Sequence, residues 1–185
     1  MSEQPTIKTE RLILRPYTMK DALELQRLIG ERDIAATTAN IPYPYEDDMA
    51  EEWIEKLPER FKKGESVELA IAHRQEGFLI GGIALMNMDK QSELAELGYW
   101  IGKPYWRNGY GTEAASAVLR YGFEAVGLNR IHAKYFKRNP ASGRIMQKIG
   151  MKHEGSLRQH FKKWGKFEDF EIYGILRSEY LAAHK

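Results

Sequence analysis

Trp106-Arg107-Asn108-Gly109-Tyr110-Gly111-Thr112-Glu113 lies between a strand-like run and a helix-like run. Gly109 and Gly111 leave no side chain where backbone amides could face an anion. A helix opening near Thr112 adds unpaired amides and the positive end of its dipole. A pyrophosphate is the natural guest for such a turn. Two other phosphate signatures are not matched. There is no G-x-x-x-x-G-K-[ST] loop, and the third residue after Gly111 is Ala114, so there is no G-x-G-x-x-G fingerprint.

On the N-terminal side of this loop come three strand-like runs, Val67–His73, 78–88 and 92–101, joined by short polar turns. Such spacing predicts an antiparallel meander. Further back, Met49, Trp53, Leu57 and Phe61 repeat at helical spacing, as do Ala22, Leu25, Leu28 and Ile29 behind a Thr18/Asp21 capping signal. Residues 41–45, Ile-Pro-Tyr-Pro-Tyr, read as an aromatic loop, and Arg11–Arg15 as a first strand. On the C-terminal side, Ala115, Val118, Leu119 and Gly122 mark one face of the helix. Arg130–Phe136 reads as a strand. Asn139-Pro140 opens another helix, with Asn as cap and Pro in the first turn, and Gly150 ends it. Residues 167–176 read as a last strand. The order predicts an α/β (α+β) fold with a mixed, mostly antiparallel central sheet flanked by helices. No linker, repeat or composition break divides residues 1–185, so one domain is expected, with its core at about 7–178.

Composition narrows the classes. The chain is 43% hydrophobic and 29% charged, which excludes disorder as its main state. It has no cysteine, so disulfides, thiolate metal sites and a Cys nucleophile are excluded together. No apolar run approaches the ~18 residues of a membrane helix. The polar start lacks a signal peptide's apolar core, and a cytoplasmic location with no membrane partner is expected. Charge is uneven. Residues 130–166 hold eleven Lys or Arg against one acid, Glu154, whereas residues 46–59 hold seven acids and one Lys. A polyanion should meet the first segment and a cationic partner the second. Nucleic acid is a weaker reading of the basic segment, which lacks RRM-type aromatic–basic motifs.

Four motifs in order carry a resemblance: Thr9-Glu-Arg-Leu-Ile-Leu-Arg15, the strand 93–101, the loop 105–114, and Asn139-Pro-Ala-Ser142 with Lys148-Ile-Gly-Met151 and Glu154-Gly155. Together they look like a GNAT N-acetyltransferase, most like the RimJ/RimL branch that acetylates protein N-termini. The resemblance covers about residues 7–178. It implies acetyl-CoA as co-substrate, with no metal. It implies that Arg107, Asn108, Gly109, Tyr110, Gly111 and Thr112 hold the pyrophosphate. It also implies that the strand at Tyr99, Trp100 and Ile101 serves the pantetheine arm, and that Asn139 contacts the pantetheine or the reacting end. Two positions depart from the family pattern. Trp106 stands where the loop usually has Gln or Arg. Met146 stands seven residues after Asn139, where many members place a Tyr that protonates the leaving thiolate. Ser142 is the nearby substitute that similar members of the branch use.

The implied reaction moves an acetyl group to a primary amine by direct attack in a ternary complex. Only the neutral amine attacks. An α-amine titrates near pH 8 and a lysine-type amine near 10.4, so a base or a water relay is needed at pH 7. Glu96, on the strand before the loop, is the expected base, and Ser142 the expected acid. The oxyanion would meet backbone amides near 99–101. Tyr43, Tyr45 and Trp53 are expected to line the acceptor cleft, and Trp164 and Phe167 to close over it; Tyr173 is an alternative acid. His132, His153 and His160 lack metal-site spacing. The acceptor is expected to be a protein or peptide N-terminus. A polyamine or aminoglycoside is the alternative, and a non-catalytic acyl-CoA-binding module a further one. The oligomeric state, monomer or homodimer, stays open.

Overall fold

The computed structural model describes residues 3–184; Met1, Ser2 and Lys185 lie outside the described residues. Among them the chain order is β1 (Ile7–Lys8), β2 (Leu12–Arg15), α1 (Ala22–Ile29), α2 (Arg32–Thr37), α3 (Met49–Lys63), β3 (Val67–His73), β4 (Leu79–Asp89), β5 (Leu94–Ile101), α4 (Tyr110–Tyr121), β6 (Arg130–Phe136), α5 (Pro140–Lys148), β7 (Lys152–Lys163), β8 (Lys166–Leu176) and α6 (Arg177–Ala183). The strands form one sheet in the order β1-β2-β3-β4-β5-β6-β8-β7. Neighbours are antiparallel except β5 and β6, which run parallel. This is the mixed, mostly antiparallel sheet with flanking helices that the pattern implies.

The β5–β6 pair is short. Leu94, Ala95 and Glu96 pair with Arg130, Ile131 and His132, and there the ladder stops. Beyond it β5 follows β4 to Ile101, while β6 follows β8 to Phe136. The two strands part, and the edge of β5 after Glu96 is left facing a gap. β4 is irregular beside this point, between Met86 and Asp89, with Asn87 in a left-handed conformation. An extra residue in one strand bends it and sharpens its twist.

Two apolar clusters hold the sheet. The larger lies under α4 and α5 and includes Leu69, Ile83, Leu97, Val118, Phe123, Ile131 and Met146. The smaller lies under α1, α2 and α3 and includes Tyr17, Leu25, Ile34, Ile54, Leu57 and Ala70. Strand alternation assigns side chains to them: Tyr99 and Ile101 pack against the first, Trp100 against the second.

Several elements differ from the sequence reading. α4 begins at Tyr110, two residues before Thr112, with Gly109 at φ +81° as its N-cap. A left-handed cap of this kind suits glycine, since a Cβ there costs about 1–2 kcal/mol. α5 starts after Asn139, but the Asn side chain makes no cap hydrogen bond. Its C-terminus follows expectation. Gly150 is left-handed, and Met151 N–H donates to Met146 O at 3.0 Å in a Schellman closure. α2, α6, β1 and β7 are not in the sequence reading. β7 carries almost no apolar alternation, because most of its side chains are exposed on an edge strand.

Candidate active site

The gap between β5 and β6 opens into a cleft of about 1140 Å³ that passes from α4 and α5 on one side to α2 and α3 on the other. Its two halves lie on opposite faces of the sheet and differ in what builds them.

On the α4/α5 side, backbone and small residues dominate. The first-turn amides of α4 have no intrahelical acceptors, and Gly109, Tyr110, Gly111 and Thr112 all border the cleft. The two glycines serve different needs. Gly109 supplies the positive φ. Gly111 lies inside the helix, where a Cβ would come within 2.9 Å of Ile145 Cδ1, so it lets α4 and α5 approach. Arg107, left-handed at φ +66°, Arg144 and Lys148 border the same half, and none of the three makes an ion pair among the described residues. Three unpaired cations beside a helix N-terminus suit a polyanion.

The loop is held from outside by residues the sequence reading does not assign. Glu113 in the first turn of α4 accepts hydrogen bonds from Thr9 Oγ1 (2.6 Å), Arg11 N (2.9 Å) and Arg11 Nε (2.7 Å). Arg11 Nη1 donates to Asn108 O at 2.9 Å, and its guanidinium lies over the Tyr110 ring. Burial alone would raise the Glu113 carboxyl, but these hydrogen bonds outweigh it and hold the group below its ordinary range. The opening motif Thr9-Glu-Arg11 thus has a physical role, which is to clamp the glycine loop. Asn108 is turned into the loop, its amide donating to Tyr105 O and Trp106 O, and it does not border the cleft. Trp106 donates from Nε1 to Ile101 O at 2.6 Å. The indole therefore takes up the last carbonyl of β5 and ties the loop to that strand.

Glu96 and Tyr99 are an odd number of residues apart on β5, so they face opposite sides of the sheet. Glu96 is buried on the α2/α3 side. Its Oε2 accepts from Lys134 Nζ (3.1 Å) and Asn87 Nδ2 (3.2 Å), with His132 Nε2 at 3.9 Å. Tyr99 points to α5. Its hydroxyl donates to Ser142 O at 2.9 Å and lies 2.9 Å from Ser142 Oγ. Burial pushes the Tyr99 phenol up, against the lowering effect of the Ser142 contact, so it stays protonated. Asn139, Ser142 and Tyr99 border the cleft together. Met146 also borders it, almost wholly buried, and has no proton to give.

The α2/α3 half is built from side chains. Trp53 and Tyr45 border it with Ile34 and Met49, and Trp53 packs edge-on against Tyr17. Its acids are paired with cations. Arg60 Nη1 reaches Glu68 Oε1 at 2.5 Å, and Lys56 Nζ lies 3.8 Å from Glu52 Oε2. Tyr43 does not border this cleft. It stands half-exposed with its ring 5.9 Å from Trp164 and borders a separate shallow pocket at α1 and α2. Trp164 and Phe167 likewise lie outside the cleft, at the β7–β8 turn. That turn still reaches toward the site, because Lys163 Nζ donates to Ala39 O (3.3 Å) and Ile41 O (3.0 Å) in the loop after α2. Tyr173 is buried away from the cleft, its hydroxyl accepting from Gln147. Of the histidines, His160 borders the cleft, and no group of three His, Asp or Glu suited to a metal occurs among the described residues.

The basic segment is less free than its composition implies. Arg130 pairs with Glu154, Lys134 with Glu96, Arg138 with Glu168 and Lys152 with Glu179. What remains unpaired around the cleft is concentrated at Arg107, Arg144 and Lys148.

A mixed sheet splits between two parallel strands, with a helix N-terminus and unpaired cations at one mouth of the resulting cleft. The comparisons with known proteins give the family. The acetyltransferase (GNAT) domain family matches residues 11–152. The uncharacterized N-acetyltransferase YoaA of Bacillus subtilis (strain 168) is 32% identical over 177 residues, covering 94% of this chain and 97% of its own. The putative ribosomal N-acetyltransferase YdaF of the same organism is 27% identical, covering 92% and 94%. The spermidine N(1)-acetyltransferase of Vibrio cholerae is 24% identical, covering 92% and 96%. A GNAT-family acetyltransferase of known structure from Bacillus anthracis superposes with a TM-score of 0.82 at 27% identity, covering 94% of this chain and 99% of its own. The chain belongs to the GNAT acetyltransferase family and is an acetyl-CoA-dependent N-acetyltransferase. Among the described residues no helix is long and apolar enough to cross a membrane.

Proposed function

We propose that the protein acetylates the α-amine of a protein or peptide N-terminus by direct attack on acetyl-CoA in a ternary complex. The observation that carries this reading is how little free negative charge the acceptor half offers. Arg60 is paired with Glu68 and Lys134 with Glu96, so each of these carboxylates has one cation beside it already. A polyamine or aminoglycoside brings several ammonium groups and needs more carboxylate charge than that. A peptide end brings one charge, and the walls of Trp53, Tyr45, Met49 and Ile34 suit the side chains behind it.

The α4 amides with Arg107, Arg144 and Lys148 would hold the phosphates, and the open edge of β5 with Asn139 the pantetheine arm. The thioester would then lie in the split, between Glu96 on one face and Ser142 on the other. Glu96 takes the proton of the attacking amine, directly or through one water. Lys134 and Asn87 hold one carboxylate oxygen in place and leave Oε1 without a partner. As the N–C bond forms and the C–S bond breaks, Ser142 gives a proton to the departing thiolate and regains one from solvent, with Tyr99 fixing its position. An α-amine with a pKa near 8 is about one-tenth neutral at pH 7, so the base is asked for little.

The test is an acceptor screen read by mass spectrometry. It compares peptides with free α-amines, the same peptides blocked at the N-terminus but carrying lysine, and spermidine. The reading expects the free α-amine to give the highest kcat/KM, by at least about tenfold. Faster turnover of spermidine or of blocked peptides would overturn it.

A further inference from the structure

β3 reads Val-Glu-Leu-Ala-Ile-Ala-His over Val67–His73, and its Glu68 is the one carboxylate in a run that is buried from Val67 to Ala72 and otherwise apolar there. Glu68 is 5% exposed, yet it borders the cleft. A buried carboxylate is costly unless its oxygens are satisfied. Here both contacts, from Ser66 Oγ at 2.9 Å and from Arg60 Nη1, fall on Oε1. No hydrogen bond falls on Oε2 among the described residues, and it is not a fully buried orphan. Burial raises the carboxyl, against the lowering effects of Arg60 and Ser66, so the site pays for a charge it does not fully use internally.

Register places this oxygen. Glu68 pairs with Ala84, and Ala84 with Gly98, so these three share one row and one face. Glu96 is two residues along β5 on the same face. Two strand spacings and two residue rises put the Cα atoms of Glu68 and Glu96 roughly 12 Å apart. Ala84 and Gly98 between them are small, and the flexible end of Met86 lies over Gly98 and borders the cleft, so an amine headed for the split passes along the Met86 side chain.

We propose that Glu68 Oε2 receives the ammonium of the incoming acceptor before it is handed to Glu96, and that Arg60 sets how many charges the acceptor may carry. Arg60 holds the other oxygen of the same carboxylate and stands on the acceptor side, so a second ammonium on the substrate meets a guanidinium there. The inference rests on the amine-acceptor reading above and deepens it. Glu68 and Arg60 are specificity residues, and the chemical step stays with Glu96 and Ser142.

Steady-state kinetics of the full chain test this with two variants and two acceptors, a neutral-side-chain peptide and spermidine. Glu68→Gln keeps the shape and the Ser66 contact but removes the charge. It is expected to raise the KM for the peptide about tenfold or more, with kcat within about threefold and acetyl-CoA affinity unchanged. Arg60→Gln is expected to lower the KM for spermidine about tenfold relative to the KM for the peptide. An unchanged amine KM in Glu68→Gln would overturn the proposal, as would loss of acetyl-CoA binding along with amine binding, the mark of a purely structural pair. If Glu68→Gln does not fold, Arg60→Gln decides: an unchanged spermidine KM overturns it. A parent enzyme that prefers spermidine would defeat the N-terminal reading and the Arg60 half of the proposal, whereas the Glu68→Gln effect is still read on spermidine.

Discussion

The two halves of the cleft meet at β5 but are made of different material. The half proposed to hold acetyl-CoA is a backbone turn, a helix end and two glycines drawn mainly from residues 99–112, joined by one face of α5. The half proposed for the acceptor is a set of side chains from α2, α3, β3 and β5 that are far apart in sequence. Backbone donors at a helix start recognise phosphate with little dependence on side-chain identity. An acceptor pocket has only side chains with which to discriminate. One half can therefore stay the same among proteins with different acceptors while the other changes, which is why relatives named for ribosomal proteins and for spermidine share this fold.

Variants separate the halves by what they change. Glu96→Gln is expected to have the largest effect, a fall in kcat of about 10²- to 10³-fold, within the usual range for a general base. Calorimetry should show acetyl-CoA binding intact. If the affinity falls with kcat, Glu96 is shared by the two halves and the division is weaker than stated. Next, Arg144→Glu and Lys148→Glu should each weaken acetyl-CoA binding by about tenfold, and the loss should shrink at high salt, because these cations are partly exposed. The amine KM measured at saturating acetyl-CoA should not move.

Glu113→Gln is a smaller test of the clamp. Glu113 has a lowered carboxyl in the folded protein, so its contribution is fully present above the ordinary carboxylate pKa and is lost as pH falls through the lowered value. Acetyl-CoA affinity of the parent should therefore decline only in the acid range below the ordinary carboxylate pKa, as the clamp protonates. The Gln variant should start several-fold weaker at pH 7 and show less of that decline. Tyr43→Ala closes the series with the least effect, under twofold on any kinetic constant, since its ring packs on Trp164 outside the cleft. A tenfold rise in amine KM would extend the acceptor half to the loop before α3.

The same contrast governs what could be read from sequence. The glycine turn is contiguous, and its glycines, the following helix and the meander before it are local patterns, so the sheet and the turn that borders the cleft were legible. Even there, Gly111 was legible as a glycine but not for its reason, which is Ile145 on another helix. Asn139 occupied a cap position without capping, because its carbonyl and not its side chain meets Ser142 N–H. β7 escaped because its polar residues show neither period, and α2 because six residues give too short a pattern. The acceptor half depends on register. That Glu68 lies in the row of Gly98 follows from strand pairing, although a lone acid inside Val67–His73 was the visible signal. Tyr43, Tyr45 and Trp53 looked alike as aromatics near one another, and only packing separated Tyr43 from the other two.

The most direct test of the two-part cleft is calorimetric titration of acetyl-CoA into the parent and into Gly109→Val. The variant places a β-branched side chain at φ +81° in the turn that starts α4, while the acceptor half keeps every residue. We expect binding by the parent and at least a tenfold loss in a variant that still melts cooperatively. Equal affinity in the two proteins would contradict the division, and would move the phosphate site away from the glycine loop.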